Sequence, residues 1–139
     1  MLVDAITQRE VATVERDHTV LRAARVMREM NVGEVVVVDE KRRPIGILTD
    51  RDIAVRIVAA DESPERPVDI VMSHPVYAVS ENALVFDTLR LMAKHHVHRV
   101  PVVDADKRIV GIVHISDAMM LLTTEQANVA EVLGGRRAE

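Results

Sequence analysis

The chain has 139 residues, a formal net charge of -4 and 48% hydrophobic residues, drawn mainly from Val, Ile, Leu, Ala and Met. That length suits one module of two half-domains with a substantial core. Tyr77 and Phe86 are the only Phe, Tyr or Trp residues, which argues against a base-stacking nucleic-acid platform; the negative charge argues against a general phosphate-backbone binder, and the absence of cysteine excludes a disulfide framework, a thiolate metal site and a cysteine nucleophile. The start, Met1 to Glu10, carries Asp4, Arg9 and Glu10 and no long apolar run, so it does not read as a signal peptide. No apolar run approaches the roughly 20 residues that span a bilayer. A cytoplasmic protein without membrane or nucleic-acid partners is expected.

Val11 to Glu15 reads as a short strand. Val20, Leu21, Ala24, Met27 and Met30 recur at helical spacing and predict an amphipathic helix over about 19–30. Asn31 and Gly33 suit its C-terminal end. Val35 to Val38 is a β-branched run, expected as a strand covered on both faces. Asp39 to Arg43 makes a turn, Ile45 to Leu48 a return strand, and Thr49 to Asp52 opens a helix running to about Ala60. The polar run Asp61 to Pro67 reads as a connector.

The same order then recurs. Residues 3–58, moved forward by about 65 positions, fall on 68–123 without a gap. Val14, Val20, Met27, Val35, Asp39, Gly46 and Asp52 land on Val79, Val85, Met92, Val100, Asp104, Gly111 and Asp117. Ser80 or Asn82 is a plausible helix N-cap, with Val85, Leu89, Met92 and Ala93 facing the core. Strands follow at Val100 to Val103 and Ile109 to Val113, with a closing helix over Ser116 to Leu122. Glu125 to Leu133 is compatible with a further helix, and Gly134 to Arg137 is expected to fray. The expected fold is α+β: two pseudo-symmetric β-α-β-β-α repeats packed through their sheets. The boundaries are 1–62 for the first repeat, 63–67 for the connector, 68–124 for the second repeat and 125–139 for a partly helical tail.

Each copy ends its last strand with a Gly, two apolar residues and a later Asp: Gly46-Ile47-Leu48-Thr49-Asp50-Arg51-Asp52, and Gly111-Ile112-Val113-His114-Ile115-Ser116-Asp117. In the first copy this sets a hydroxyl and a carboxylate at a strand-to-helix junction. Helix N-terminal N–H groups attract phosphate, and a carboxylate there can accept from both ribose hydroxyls. Thr and Asp at such a junction equally suit plain N-caps. With the repeat, with Asp39 and Asp104 closing each middle strand, and with His98-Arg99-Val100-Pro101-Val102-Val103-Asp104, the chain resembles a tandem cystathionine-β-synthase (CBS) domain pair, or Bateman module. The resemblance spans about residues 3–123.

That resemblance implies a non-catalytic regulator that binds AMP, ADP, ATP or another adenosine-containing ligand between the copies. It further implies pairing into a homodimer and a signal passed to an unidentified effector protein, since no effector domain is expected within the chain. It places a first cleft at Ile47, Thr49 and Asp52 from copy one, facing Val76 and Tyr77 on the first strand of copy two, then Val97, His98 and Arg99. Asp52 would hold the ribose, Ile47 would line the adenine pocket, and Arg99 and His98 would meet phosphate. The second, weaker cleft would use Thr7, Ala12, Val32, Gly33, Glu34, Ile112, His114 and Asp117. There His114 stands where the hydroxyl is expected and Gly33-Glu34 where His98-Arg99 would be. Glu34 repels a phosphate if it points inward; otherwise it points to solvent. The second cleft is expected to be empty or to take a less anionic ligand. The rival reading is a structural CBS dimer with vestigial clefts.

Arg51, Arg56 and Lys94 either supplement phosphate binding or are solvated surface charges. His95, His96 and His98 invite a metal reading, but they need not converge and lack a fourth ligand, so no metal is expected. Ser80 and Ser116 lack a base, and no catalytic set emerges. The apolar run Met119-Met120-Leu121-Leu122 needs cover, which a partner module would supply.

Overall fold

Strand β2 (Glu34–Val38) is buried along its whole length and organises the first copy. It pairs in parallel with β1 (Thr13–Glu15) and antiparallel with β3 (Pro44–Thr49). Because side chains alternate along a strand, Val35 and Val37 enter a core with Val14, Val20, Ala23, Met27 and Leu48. Val36 and Val38 instead face the other copy, against Ile109 and Ile112. Both faces are therefore covered, and burying each Val contributes roughly 1.5–3 kcal/mol. The computed structural model describes the backbone of residues 1–138 and the surroundings of side chains through residue 135.

Helix α1 (Val20–Met30) starts at Thr19, whose hydroxyl accepts the Arg22 N–H at 3.1 Å, and stops at Asn31 in the left-handed region at φ 54°. Its fully buried face is Val20, Ala23 and Met27 rather than the expected run through Ala24 and Met30. Met30 lies beside the left-handed turn and is exposed. Helix α2 (Asp50–Ile53) does not run on as regular α-helix. It widens into a π turn over Ala54–Val58, where the Ala59 N–H reaches back to the Ala54 carbonyl.

The second copy repeats this order. Strand β4 (Val79–Ser80) pairs in parallel with β5 (Arg99–Val103), and β5 pairs antiparallel with β6 (Ile109–His114). The register shifts at Val102/Val103 as it does at Val37/Val38. At helix α3 (Val85–His95) the N-cap position is Leu84, not Ser80 or Asn82, and it makes no side-chain cap bond. The Ser80 hydroxyl is used in the preceding turn, accepting the Asn82 N–H at 3.1 Å. The buried face of α3 is Val85, Thr88 and Met92, the positions equivalent to those of α1. Ala93, one residue and about 100° further round, is exposed, against expectation. Helix α4 (Ile115–Ala138) is one unbroken element. The expected break between Leu122 and Glu125 does not occur, and the helix continues through Gly134 and Gly135.

The segment leading into each copy packs on the other copy. Val3 lies in the core of copy two, and Val68 and Val71 lie in the core of copy one. The Met1 carbonyl accepts the Val85 N–H at the start of α3, while the Arg66 and Pro64 carbonyls accept the Val20 and Leu21 N–H groups at the start of α1. Those donors would otherwise be orphaned. The leading segments also bridge the last strands, Gln8 to Ile112 and Ser73 to Ile47. Gly46 and Gly111 permit this approach: a Cβ on Gly46 would overlap Met72 Sδ, and one on Gly111 would overlap Thr7 and come within 2.6 Å of the Gln8 carbonyl.

Candidate functional site

The β3–α2 junction sets two polar groups at the boundary between the copies. Thr49 Oγ1 accepts the Asp52 N–H at 3.1 Å and Asp52 Oδ2 accepts the Thr49 N–H at 3.0 Å, a reciprocal capping box. The other Asp52 oxygen lies 3.6 Å from Arg56 Nη2, and Arg56 Nη1 donates to the Val71 carbonyl at 2.6 Å. The capping role weighed from the sequence is thus present. Both residues nevertheless face a cavity.

That cavity has a volume of about 390 Å³, within the usual span of small-molecule pockets. Copy one contributes Ile47, Thr49 and Asp52, and copy two contributes Val76, Tyr77, Val97, His98 and Arg99. All eight residues expected in the first cleft therefore come together. Val76 and Tyr77 do so from the segment preceding β4 rather than from a strand. Ser73, His74, Pro75 and His96 complete the lining and were missed. Ser73 and His96 are the repeat equivalents of Gln8 and Asn31, neither of which was an expected site residue, and Asn31 and His96 both end their helix in the left-handed region. Tyr77 stacks on His95 with ring centroids 3.7 Å apart and planes 12° from parallel, which holds the phenol at the cavity wall. Arg99 is partly exposed to the cavity, but its Nε is buried with no hydrogen-bond partner among the described residues.

In the pseudo-equivalent second cleft the polar side chains are bonded to one another. Asp117 Oδ2 accepts the His114 N–H at 2.9 Å, matching the Thr49–Asp52 backbone bond. The Gln8 amide also donates to the Asp117 carboxylate, at 3.1 and 3.3 Å. Its counterpart Ser73 is too short to do the same at Asp52. Thr7 Oγ1 donates to the Val3 carbonyl at 2.9 Å, and Ala12 and Ile112 are buried. Val32 and Gly33 are half-buried, with the Asp50 carboxylate packed over Gly33. Glu34 points inward rather than to solvent, and its carboxylate is met there by His114 and Arg99. Its side chain is 7% exposed; Oε1 accepts from His114 Nε2 at 2.5 Å and Oε2 lies 3.8 Å from Arg99 Nε. The His114 hydrogen bond holds the Glu34 carboxyl below its usual range, against the effect of burial. The same bond raises the His114 pKa, against burial and the nearby Arg99 charge and with help from Asp117.

Arg51, Arg56 and Lys94 do not line the cavity. Among the described residues, one group of three potential ligands converges on a point, Glu15, Asp17 and His18, and it does not include His95, His96 or His98. The His18 Nδ1 lone pair already accepts the Glu15 N–H at 3.0 Å. Among the described residues, no helix is long and apolar enough to cross a membrane.

The sequence profile of the CBS domain matches residues 3–59 and again residues 68–124. The CBS domain-containing protein YhcV of Bacillus subtilis is 38% identical over 122 residues, covering 87% of this chain and 86% of YhcV. The chain spans 61% of the length of another curated relative. Among solved structures, Hypoxic Response Protein I, crystallised with two coordinated zinc ions, is 32% identical with a TM-score of 0.77, over 86% of this chain and 98% of that one. The CBS domain pair of protein MJ0100, in complex with 5′-methylthioadenosine and S-adenosyl-L-methionine, is 28% identical with a TM-score of 0.79, over 90% and 98% of the two chains.

Proposed function

The chain belongs to the CBS domain family, carrying two copies of the domain, and from that premise we propose that it is a regulatory module that binds an adenosine-containing ligand of the AMP, ADP or ATP class in its first cleft and signals that occupancy to a partner protein. The observation that carries the reading is the cavity in which Thr49 and Asp52 of copy one face His98 and Arg99 of copy two. Ile47 and Val76 supply apolar walls for a base, with Tyr77 beside them. Asp52 takes the ribose hydroxyls, and Arg99 with His98 takes phosphate. The MJ0100 pair, with its two adenosine-derived ligands, supports the ligand class. Because both copies line the cavity, a ligand there favours one packing of the copies by its differential affinity for the two arrangements. The reading extends to a cytoplasmic homodimer, covered along the exposed apolar face of α4.

The test is thermal denaturation with AMP, ADP, ATP, NAD and S-adenosylmethionine on the wild type, Asp52→Ala and Arg99→Ala. A ligand at a hundred times its dissociation constant should add about 2.7 kcal/mol of stability to the wild type. Arg99→Ala should weaken a phosphorylated ligand by about 1.5–3 kcal/mol. Asp52→Ala also removes half of a capping box, so its unliganded melting point is the reference for its own shifts. A wild type unmoved by every ligand sinks the reading. It would favour a structural CBS dimer, to which the internally bonded polar groups of the second cleft give independent weight.

A further inference from the structure

Glu34 opens β2 and Arg99 opens β5, at equivalent positions of the repeat. The packing of the copies brings the two side chains face to face. Glu34 is nine-tenths buried, with one oxygen engaged by His114 and the other 3.8 Å from Arg99 Nε. That distance is an ion-pair contact but too long for a hydrogen bond, and the Nε has no hydrogen-bond partner among the described residues. The Arg99 side chain also borders the first cavity. One guanidinium thus stands between a buried carboxylate behind it and the space offered to a ligand in front.

We propose that Glu34 is a positioning residue of the first cleft, and that together with His114 it sets how strongly Arg99 can bind a phosphate there. The inference rests on the reading of that cleft as an adenosine-ligand site. When His114 is protonated, the Glu34 charge is met from the second cleft and Arg99 is free to turn to a phosphate. When His114 is neutral, Arg99 is the remaining cation beside Glu34. A phosphate must then draw Arg99 away and leave a buried carboxylate uncompensated, a costly arrangement. The charged groups facing His114 are Glu34, Arg99 and Asp117; those facing Glu34 are His114 and Arg99. The raised His114 pKa puts the change above the ordinary histidine value of 6.5. Linkage is reciprocal, so a phosphate that engages Arg99 strengthens proton binding at His114.

The probes are AMP and adenosine, which differ by the phosphate alone. Their dissociation constants are measured by calorimetry between about pH 7 and about pH 9, where the AMP phosphate stays dianionic because its second pKa is about 6. In the wild type the preference for AMP over adenosine should fall about fivefold or more across that range. In Glu34→Gln it should be high and independent of pH; in His114→Gln it should be low and independent of pH. Opposite directions in the two variants separate this role from structural damage, which would weaken both ligands alike. A second measurement needs no variant for its comparison: the His114 titration, followed by proton NMR in the wild type, should have a higher midpoint with AMP bound than with adenosine bound. AMP binding with the same preference in all three proteins, or a His114 midpoint indifferent to the phosphate, overturns the inference and leaves the ligand reading standing. Failure of the wild type to bind either probe overturns both.

Discussion

Thr49 and Asp52 exchange capping bonds across the β3–α2 junction while also bordering the cavity. Their residue types and three-residue spacing were legible, because capping and ligand contact both call for a hydroxyl and a carboxylate at a helix start. The surroundings of Glu34 were not legible. Its partners His114 and Arg99 lie in the other copy, and no local pattern shows which distant cation will neutralise a buried carboxylate. The pair has a consequence for stability. A raised His114 pKa contributes stability that is complete below 6.5 and lost as pH rises through the raised value. A lowered Glu34 pKa contributes stability that is complete above 4.5 and lost as pH falls through the lowered value. The pair therefore stabilises most between those limits. The melting-point advantage of the wild type over His114→Gln should be largest near pH 6 and shrink steadily above it. Differential scanning calorimetry at a series of pH values measures it, and an advantage that is constant or grows towards alkaline pH contradicts the pairing.

Elements were readable where short-range periodicity governs them, as in α1 and α3, and less so where a long-range partner does. Helix α4 departs from the expected pair of helices, since its backbone passes through Thr123 and Thr124. Their hydroxyls donate back to the Met119 and Met120 carbonyls at 2.9 Å, within the helix. Beyond the body of copy two, Met119, Leu122, Gln126, Val129 and Leu133 recur at alternating spacings of three and four, and all five are exposed. That alternation is the spacing a helix needs to pack along another helix, with one polar residue available to fix register. A second copy of α4 carries the same spacing and can satisfy it. Replacing Leu122 and Leu133 together by Lys should convert a dimer to a monomer in sedimentation equilibrium. Because both side chains are about half exposed, at 47% and 55%, the monomer's far-ultraviolet circular dichroism should stay close to that of the wild type. An unchanged mass for the double variant rules out this face as the dimer contact.

At the scale of the whole molecule, the two copies share a scaffold but not a chemistry, and the exchanged leading segments are where they part. Residues 1–8 finish the cleft of copy two, and the segment through Ser73 finishes that of copy one, so each cleft is completed by the other copy's leader. Gln8 and Ser73 occupy equivalent positions beside Asp117 and Asp52. The longer amide reaches its carboxylate; the serine leaves Asp52 beside an open cavity. The sequence repeat makes the contrast between His98-Arg99 and Gly33-Glu34 visible, but it gives no weight to the contrast between Gln8 and Ser73, because only the exchange of segments gives those residues a role in the clefts. The contrast can be tested in both directions. Gln8→Ser should release Asp117 and add a weak second adenosine per chain in equilibrium dialysis, adenosine being chosen because it brings no phosphate to Glu34. Ser73→Gln should let an amide reach Asp52 and weaken adenosine at the first cleft by about 1 kcal/mol, the scale of one hydrogen bond. If the amide is what closes a cleft, the substitutions move binding in opposite senses at two sites. If the closure comes from His114 and Glu34 instead, Ser73→Gln still weakens the first site, while Gln8→Ser leaves the stoichiometry at one.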